Sequence, residues 1–423
     1  DDYSAMAVSF ADKIIACQQQ TVTDWDVPYV GFFYDDETHK LIAHCSHRSH
    51  DNEPVQALAR LASCIPEHEN YGKWMYAINL YADYILHASE ATAPYYVVPA
   101  SIYHEDEAFH DTEYDMGMIK RYLTDDERRE NYRKQVQNGV TLGKGYYLRR
   151  EPVAFEHRGN HDVTLAGGKG AACAASAKND YVLAELAQRQ AEWIVGKNPF
   201  AESVMFGEGY DYCQEYAVLP GEMVGELGVG FAALDEHDSP FWPQVNTCVY
   251  KEVWIRSVLQ YIWLASDLHG GAKVSGIVDK KAGKVDFRDL CYGNSYNLAV
   301  NAETGWYEGE LPAGEYLLTV GTQTKHVTLL ASRKYRLDGP FRDYRAAVEQ
   351  DGEEVKIKLS VSGAGKGRIA FQAINLDCKK FTAEVSPGEI VEIKGNICDR
   401  KKPYYAVIIP DGELAQIVEI YER

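Results

Sequence analysis

The stretch AEWIVGKNPFAESVMFGEGYDY, Ala191–Tyr212, decides how the larger part of the chain is read. A run with helical spacing leads into it. Gly196 suits a left-handed helix cap, and Asn198-Pro199 blocks continuation because the residue before a proline avoids helical backbone. Between 197 and 247 the chain is rich in Gly, Pro and Asp. A segment that long without regular structure is usually functional or an insertion. It ends in QVNTCVYKEVWIRSVLQYIWLASDL, Gln244–Leu268, a second helical run reading from about 248 to 269 and closed by Gly270-Gly271.

Upstream, apolar residues at three- and four-residue spacing predict helices over 3–19, 54–64, 69–92, 125–138, 162–178 and 180–196. VPYVGFFYDDETHKLIAHC, 27–45, reads as two strands around an acidic turn. After Gly271 the period changes to two. KVSGIVDKKAGKVDF, YNLAV, GWYEGELPAGEYLLTV and KHVTLLAS alternate between Gly and Pro turns, as strands of a small β-sandwich do. VKIKLSV, RIAFQAINL, FTAEVS and YYAVIIP continue the pattern. SGAGKG, Ser362–Gly367, lies between two such strands and reads as a turn. The organisation is multidomain α + β: a helical domain over 1–270, a β-sandwich over 272–338 and a second over 339–423.

The chain has 423 residues and a formal net charge of −20. That field repels nucleic acid and anionic membranes, so neither is expected as a partner. No apolar run is long enough for a transmembrane helix. The nine Cys include no CxxC pair, which argues against structural zinc. No cofactor is expected. A cytoplasmic setting and a secreted or periplasmic bacterial one both fit. The 30 Tyr supply rings that can stack on sugars, although most fill core and rim.

Taken together, WIVGKNP, the Gly-containing loop after it and the final helical run resemble the C-terminal half of the (α/α)6-toroid glycosidases, especially glycoside hydrolase family 9. The resemblance spans roughly 181–268. TGWYEGELPAGEYLLTVG similarly resembles a carboxypeptidase-regulatory or transthyretin-like module. The glycosidase likeness implies a carbohydrate substrate and an incomplete toroid, because a closed one needs more helices than the seven read here. An upstream fragment or partner chain would supply the rest. The family opens its last helix with Asn-Glu, the Glu being the proton donor. This sequence has Asn246-Thr247 there, and Glu252 falls about a turn and a half later, inside the expected helix.

Two similar clusters precede helical runs: HRSHDN, His47–Asn52, and HRGNHDV, His157–Val163. Helix N-termini favour anions, an Arg grips a carboxylate in two-pronged fashion, and imidazole exchanges protons near neutral pH. His47, His50, Asp51, His157, Arg158 and His161 are thus candidate catalytic residues, with Tyr103, His104 and Glu252. Arg48, Tyr95, Tyr96, Asn160, Trp242 and Asn246 are candidates for substrate binding. Asp51 and Asp162 equally suit helix capping, and the paired His spacing leaves a divalent cation as a minor alternative. The function expected is cleavage of glycosidic bonds, hydrolase-like, on an acidic, uronate-containing poly- or oligosaccharide. One alternative is β-elimination next to a uronate, as in the loosely similar rhamnose–glucuronate lyases on toroids. Another is a non-catalytic carbohydrate-binding or scaffold protein.

Overall fold

A computed structural model describes residues 3–44, 52–110, 123–153, 160–214, 223–233, 236–241, 251–363, 365–378, 381–410 and 416–420. Among them are seven α-helices and several small sheets, a mixed α and β architecture. The helices are α1 (Ser4–Ala16), α2 (Glu53–Cys64), α3 (Tyr71–Ser89), α4 (Asp126–Gln137), α5 (Asn160–Lys178), α6 (Tyr181–Ile194) and α7 (Ile255–Leu268). Six begin within a few residues of the expected positions. Asp125 caps α4 as its sequence suggests, accepting the Arg128 N–H at 2.9 Å. The two strands expected over 27–45 are reduced to isolated pairings, Gln18 with Phe33 and Tyr34 with Ile42.

The chain divides into two compact units. The first comprises 1–66, 77–175 and 182–266. Its hub is α5, buried on every side from His161 to Ala172. The small residues of LAGGKGAACAA permit this. A side chain at Gly168 would meet Leu264 of α7 at 2.7 Å and Gln190 of α6 at 2.9 Å, and one at Gly170 would collide with the Tyr81 hydroxyl of α3. Three helices therefore approach α5 closer than any larger residue allows, which is close packing of the kind that sets interior density. Asn52, at the start of α2, donates to the Ala166 carbonyl of the same helix. The unit also holds an antiparallel sheet of β1 (Ser101–His104), β2 (Val140–Gly143) and β3 (Tyr146–Arg149), with β3 central, and a short pair, β4 (Ala232–Ala233) with β5 (Pro240–Phe241).

The second unit comprises 67–76, 176–181 and 267–423. Its first strands are β6 (Ala272–Ile277), β7 (Lys284–Asp289), β8 (Ser295–Ala299), β9 (Trp306–Leu311), β10 (Gly314–Val320), β11 (Gln323–Leu329) and β12 (Lys334–Arg336). They form sheets ordered β11-β10-β7-β8 and β12-β6-β9. Val274 and Tyr307 of the second sheet join Phe287, Tyr316 and Leu318 of the first in one apolar cluster. The later strands are β13 (Arg342–Asp351), β14 (Glu354–Gly363), β15 (Gly367–Ile374), β16 (Phe381–Val385), β17 (Ile390–Asn396), β18 (Tyr404–Pro410) and β19 (Gln416–Ile420). Their sheets are β13-β14-β17 and β16-β15-β18-β19. Along β14, Val355, Ile357, Leu359 and Val361 are buried while the intervening residues are not, the period-two pattern of a strand with one apolar face. Among the described residues no helix is long and apolar enough to cross a membrane.

Candidate active site

The turn after α6 is built as its sequence implies. Gly196 has φ of +117°, and the Asn198 amide donates to the carbonyls of Trp193 and Glu202, both at 2.8 Å. The loop then returns to α6 through Val204 N–H to the Ile194 carbonyl at 2.9 Å. Burial pushes Glu202 in this loop above the usual carboxylate range, against the opposing charge of Lys251 and with the help of Asp211. The KNPFAES turn and the residues before α7 are thereby electrostatic neighbours.

Those residues are not helical. The helix begins at Ile255, seven positions after its expected start near 248. Backbone pairing explains the difference. Gly228 and Val253 form an antiparallel bridge, the Val229 N–H donates to the Glu252 carbonyl at 2.8 Å, and the Trp254 N–H donates to the Leu227 carbonyl at 3.4 Å. Pairing with 227–229 holds 252–254 extended. Glu252 consequently lies just ahead of the last helix, half-buried, with Oε2 accepting the Trp254 indole N–H at 2.9 Å. That hydrogen bond fixes one carboxyl oxygen.

His161 meets the same segment. Its Nδ1 donates to the Gly228 carbonyl at 2.9 Å, so Nδ1 carries the proton of the neutral ring. Trp193 and Phe231 flank the imidazole, with centroids 6.4 and 5.8 Å away. Burial depresses its pKa to about 4, partly opposed by the Gly228 bond, so the ring is neutral at neutral pH. The next residue, Asp162, ties two helices together: Oδ1 accepts the Ser257 hydroxyl at 2.9 Å, and Oδ2 lies 3.1 Å from Arg256 Nε. The 227–229 segment thus bonds to His161 through the Gly228 carbonyl and to the Glu252 backbone through the Val229 N–H.

A second acid-bearing loop follows β3. Asp238, its side chain wholly buried, accepts the Glu151 N–H at 3.0 Å, the Arg150 N–H at 3.1 Å and Arg150 Nε at 3.0 Å, with Arg149 Nε at 3.5 Å. Arg149, also fully buried, donates from Nε to the Glu151 carbonyl at 3.2 Å and from its two terminal nitrogens to the carbonyls of Gln135 and His237. Burial raises the Glu151 carboxyl well above its ordinary range, reinforced by Asp238 and opposed by Arg149 and Arg150. In the sequence Asp238 reads only as the end of an acidic run, Asp235-Glu236-His237-Asp238, suited to a solvated loop; the structure buries it instead, on partners 87 or 88 positions away that form no motif with it.

Tyr103 and His104 lie on β1. Tyr103 is buried and stacks on His44 at 4.1 Å. His104 accepts the Asp106 N–H on Nδ1 at 3.2 Å. Around them the buried Glu107, also absent from the sequence expectations, accepts from His44 Nε2 at 2.8 Å, from the Tyr132 hydroxyl and from the His104 N–H at 3.0 Å. Tyr96 is a third feature, with φ of +55° and a half-exposed ring beneath the Arg189 guanidinium at 4.5 Å. Gln190 holds its loop, donating to the Tyr96 carbonyl at 2.9 Å and accepting the Val98 N–H at 3.0 Å. Tyr95, partly buried, bonds through its N–H to Thr92.

His47, Arg48, His50, Asp51, His157, Arg158, Trp242 and Asn246 lie outside the described residues, as does the side chain of Asn160. Among the described residues no group of three or more His, Cys, Asp or Glu side chains is placed to hold a metal ion. A cavity of about 30 Å³ lies among Phe32, Tyr81, Ile85, Val98 and Val163, with room for about one water rather than a sugar.

No protein-family model and no curated protein matches the chain. Among solved structures it is similar to endoglucanase CelQ of Clostridium thermocellum, complexed with cellobiose and cellotriose. The identity is 11%, the alignment covers 88% of this chain and 70% of that one, and the TM-score is 0.24. It is similar as well to a candidate carbohydrate-binding protein of Bacteroides uniformis, at 14% identity, and to a DUF3823 family protein of Bacteroides ovatus, at 12%. Each of these two covers 36% of this chain and 100% of the other, with a TM-score of 0.15. At such TM-scores the chemistry rests on the residues themselves.

Proposed function

We propose that the helical unit cleaves glycosidic bonds by hydrolysis, with Glu252 as proton donor and an acidic, uronate-containing poly- or oligosaccharide as substrate. The observation that carries this reading is the start of α7 at Ile255. It leaves Glu252 immediately ahead of the final helix, the place that the resembled glycosidases give their donor. Trp254 steadies one oxygen, so the carboxyl can present the other to a leaving group in a fixed orientation. Hydrolysis needs a second carboxyl group on the other side of the bond. Glu202, beside Lys251, and Glu226, one residue before the 227–229 pairing, are the described candidates for that role.

Elimination is the second reading, favoured by the hydrogen-bonded His44–Glu107–Tyr132 group, which is equipped to relay a proton. One experiment separates the two: incubation with a panel of uronate-containing polysaccharides, following reducing ends and the ultraviolet absorbance of unsaturated uronate in parallel. Hydrolysis gives reducing ends without new absorbance, and Glu252→Gln loses them. New absorbance that survives Glu252→Gln contradicts the proposal and supports elimination. Silence in both assays, with binding retained, supports the non-catalytic reading.

A further inference from the structure

The two arginines that follow one another at the end of β3 have different surroundings. Arg149 is fully buried, and its N–H groups donate to carbonyl oxygens, with Nε 3.5 Å from the Asp238 carboxylate. Arg150 donates at two points, its backbone N–H at 3.1 Å and its Nε at 3.0 Å, both to Asp238 Oδ2, while its carbonyl accepts the Ala100 N–H at 3.2 Å. Its side chain is 42% exposed. Among the described residues none accepts from Nη1 or Nη2. The guanidinium is therefore gripped at its inner nitrogen by a buried carboxylate and presents its two terminal nitrogens outward.

We propose that Arg150 is the receptor for a substrate carboxylate, so that the ligand is a sugar bearing a uronate group. The inference rests on the carbohydrate reading above and names the group that selects the substrate. A planar guanidinium with two parallel N–H donors matches a carboxylate geometrically, and pre-orientation lowers the entropy lost on binding. Asp238 provides that pre-orientation. The local charge agrees. Two guanidiniums, Arg149 and Arg150, face one carboxylate, Asp238, while burial keeps the neighbouring Glu151 carboxyl protonated well above the usual range. Around the Asp238 carboxylate itself, cationic groups thus outnumber ionised carboxyls, on a chain whose net charge is −20. An anionic sugar would be repelled by most of this surface and accepted here. A neutral sugar would gain nothing from the second terminal nitrogen.

The test is binding of methyl glucuronide and methyl glucoside to the full chain, measured by ligand-observed NMR and calorimetry, for wild type, Arg150→Gln and Arg150→Lys. The expected result is a preference for the glucuronide of about tenfold or more, the scale of a hydrogen bond to a charged group. Arg150→Gln should remove the preference and leave glucoside binding unchanged. Arg150→Lys should retain part of it, because the charge stays and the fork is lost. Unaltered circular dichroism in both variants shows that the fold is intact. Glucoside binding without a glucuronide preference, or a preference that survives Arg150→Gln, overturns the role of Arg150 and leaves the carbohydrate reading standing. Failure of both sugars to bind overturns the carbohydrate reading and, with it, this inference.

Discussion

The loop at 150–153 and the segment at 251–254 each present a glutamate beside basic residues, yet the two are embedded in opposite ways. At the first, Asp238 takes three hydrogen bonds and lies 3.5 Å from Arg149 Nε, and burial raises the Glu151 carboxyl well above its ordinary range. At the second, Glu252 is half-buried, with one oxygen held by a single indole N–H. A saturated, buried carboxylate is suited to holding backbone in place. A partly exposed one with a free lone pair is suited to exchanging a proton with a ligand. Composition alone does not separate these roles; the count of donors around each oxygen does.

The comparison breaks most visibly at Asp238. Asp238→Ala leaves Arg149 buried without its carboxylate and should cost about 3–5 kcal/mol of stability, the range for removing one partner of a buried ion pair. The denaturation midpoint measures it. A loss below ~1 kcal/mol would show that the loop is not anchored there. His161 gives the next effect, through pH. Its folded pKa of about 4 lies below the ordinary 6.5, so between these values the unfolded chain binds a proton that the folded one refuses. Stability is then fully present above 6.5 and lost as pH falls towards 4, by up to ~3 kcal/mol. His161→Gln, which can still donate to the Gly228 carbonyl, should flatten that slope. The smallest effect is at Glu151. Its folded pKa is raised, so above the ordinary value of 4.5 the folded state keeps a proton that the unfolded state releases, and stability falls as pH rises. Glu151→Gln removes this penalty. Thermal melts should show the variant more stable than wild type at neutral pH, with the difference vanishing once pH falls below 4.5.

How much of this was legible in the sequence follows the range of the interactions. Local signals sufficed for the Asp125 cap, the Gly196 turn and the alternating strand β14. The start of α7 was not legible. Val249, Tyr250, Val253 and Trp254 keep a helical spacing, and only the tertiary pairing with Leu227–Val229 makes 252–254 extended. That single shift changes Glu252 from a residue inside a helix to one in front of it. The small residues of α5 read plainly as helix, but not as the element that α2, α3, α6 and α7 surround. This depends on what approaches each glycine. Glu107 was invisible, and Asp238 read as part of a solvated acidic run rather than a buried anchor, because each carboxylate takes most of its partners from distant segments. Strand β13, RDYRAAVEQD, carried too little apolar alternation to be recognised before its pairing with β14 was known.

The most direct test of the central claim is turnover of a uronate-containing oligosaccharide by Glu252→Gln and Glu151→Gln side by side, with denaturation midpoints for both. The account predicts that Glu252→Gln loses about 10²–10⁴ in rate, the scale of a general acid, with its midpoint unchanged. Glu151→Gln should keep its rate within a small factor while its neutral-pH stability rises. Full activity in Glu252→Gln, with activity lost in Glu151→Gln, would contradict the assignment and move the proton donor to the buried loop.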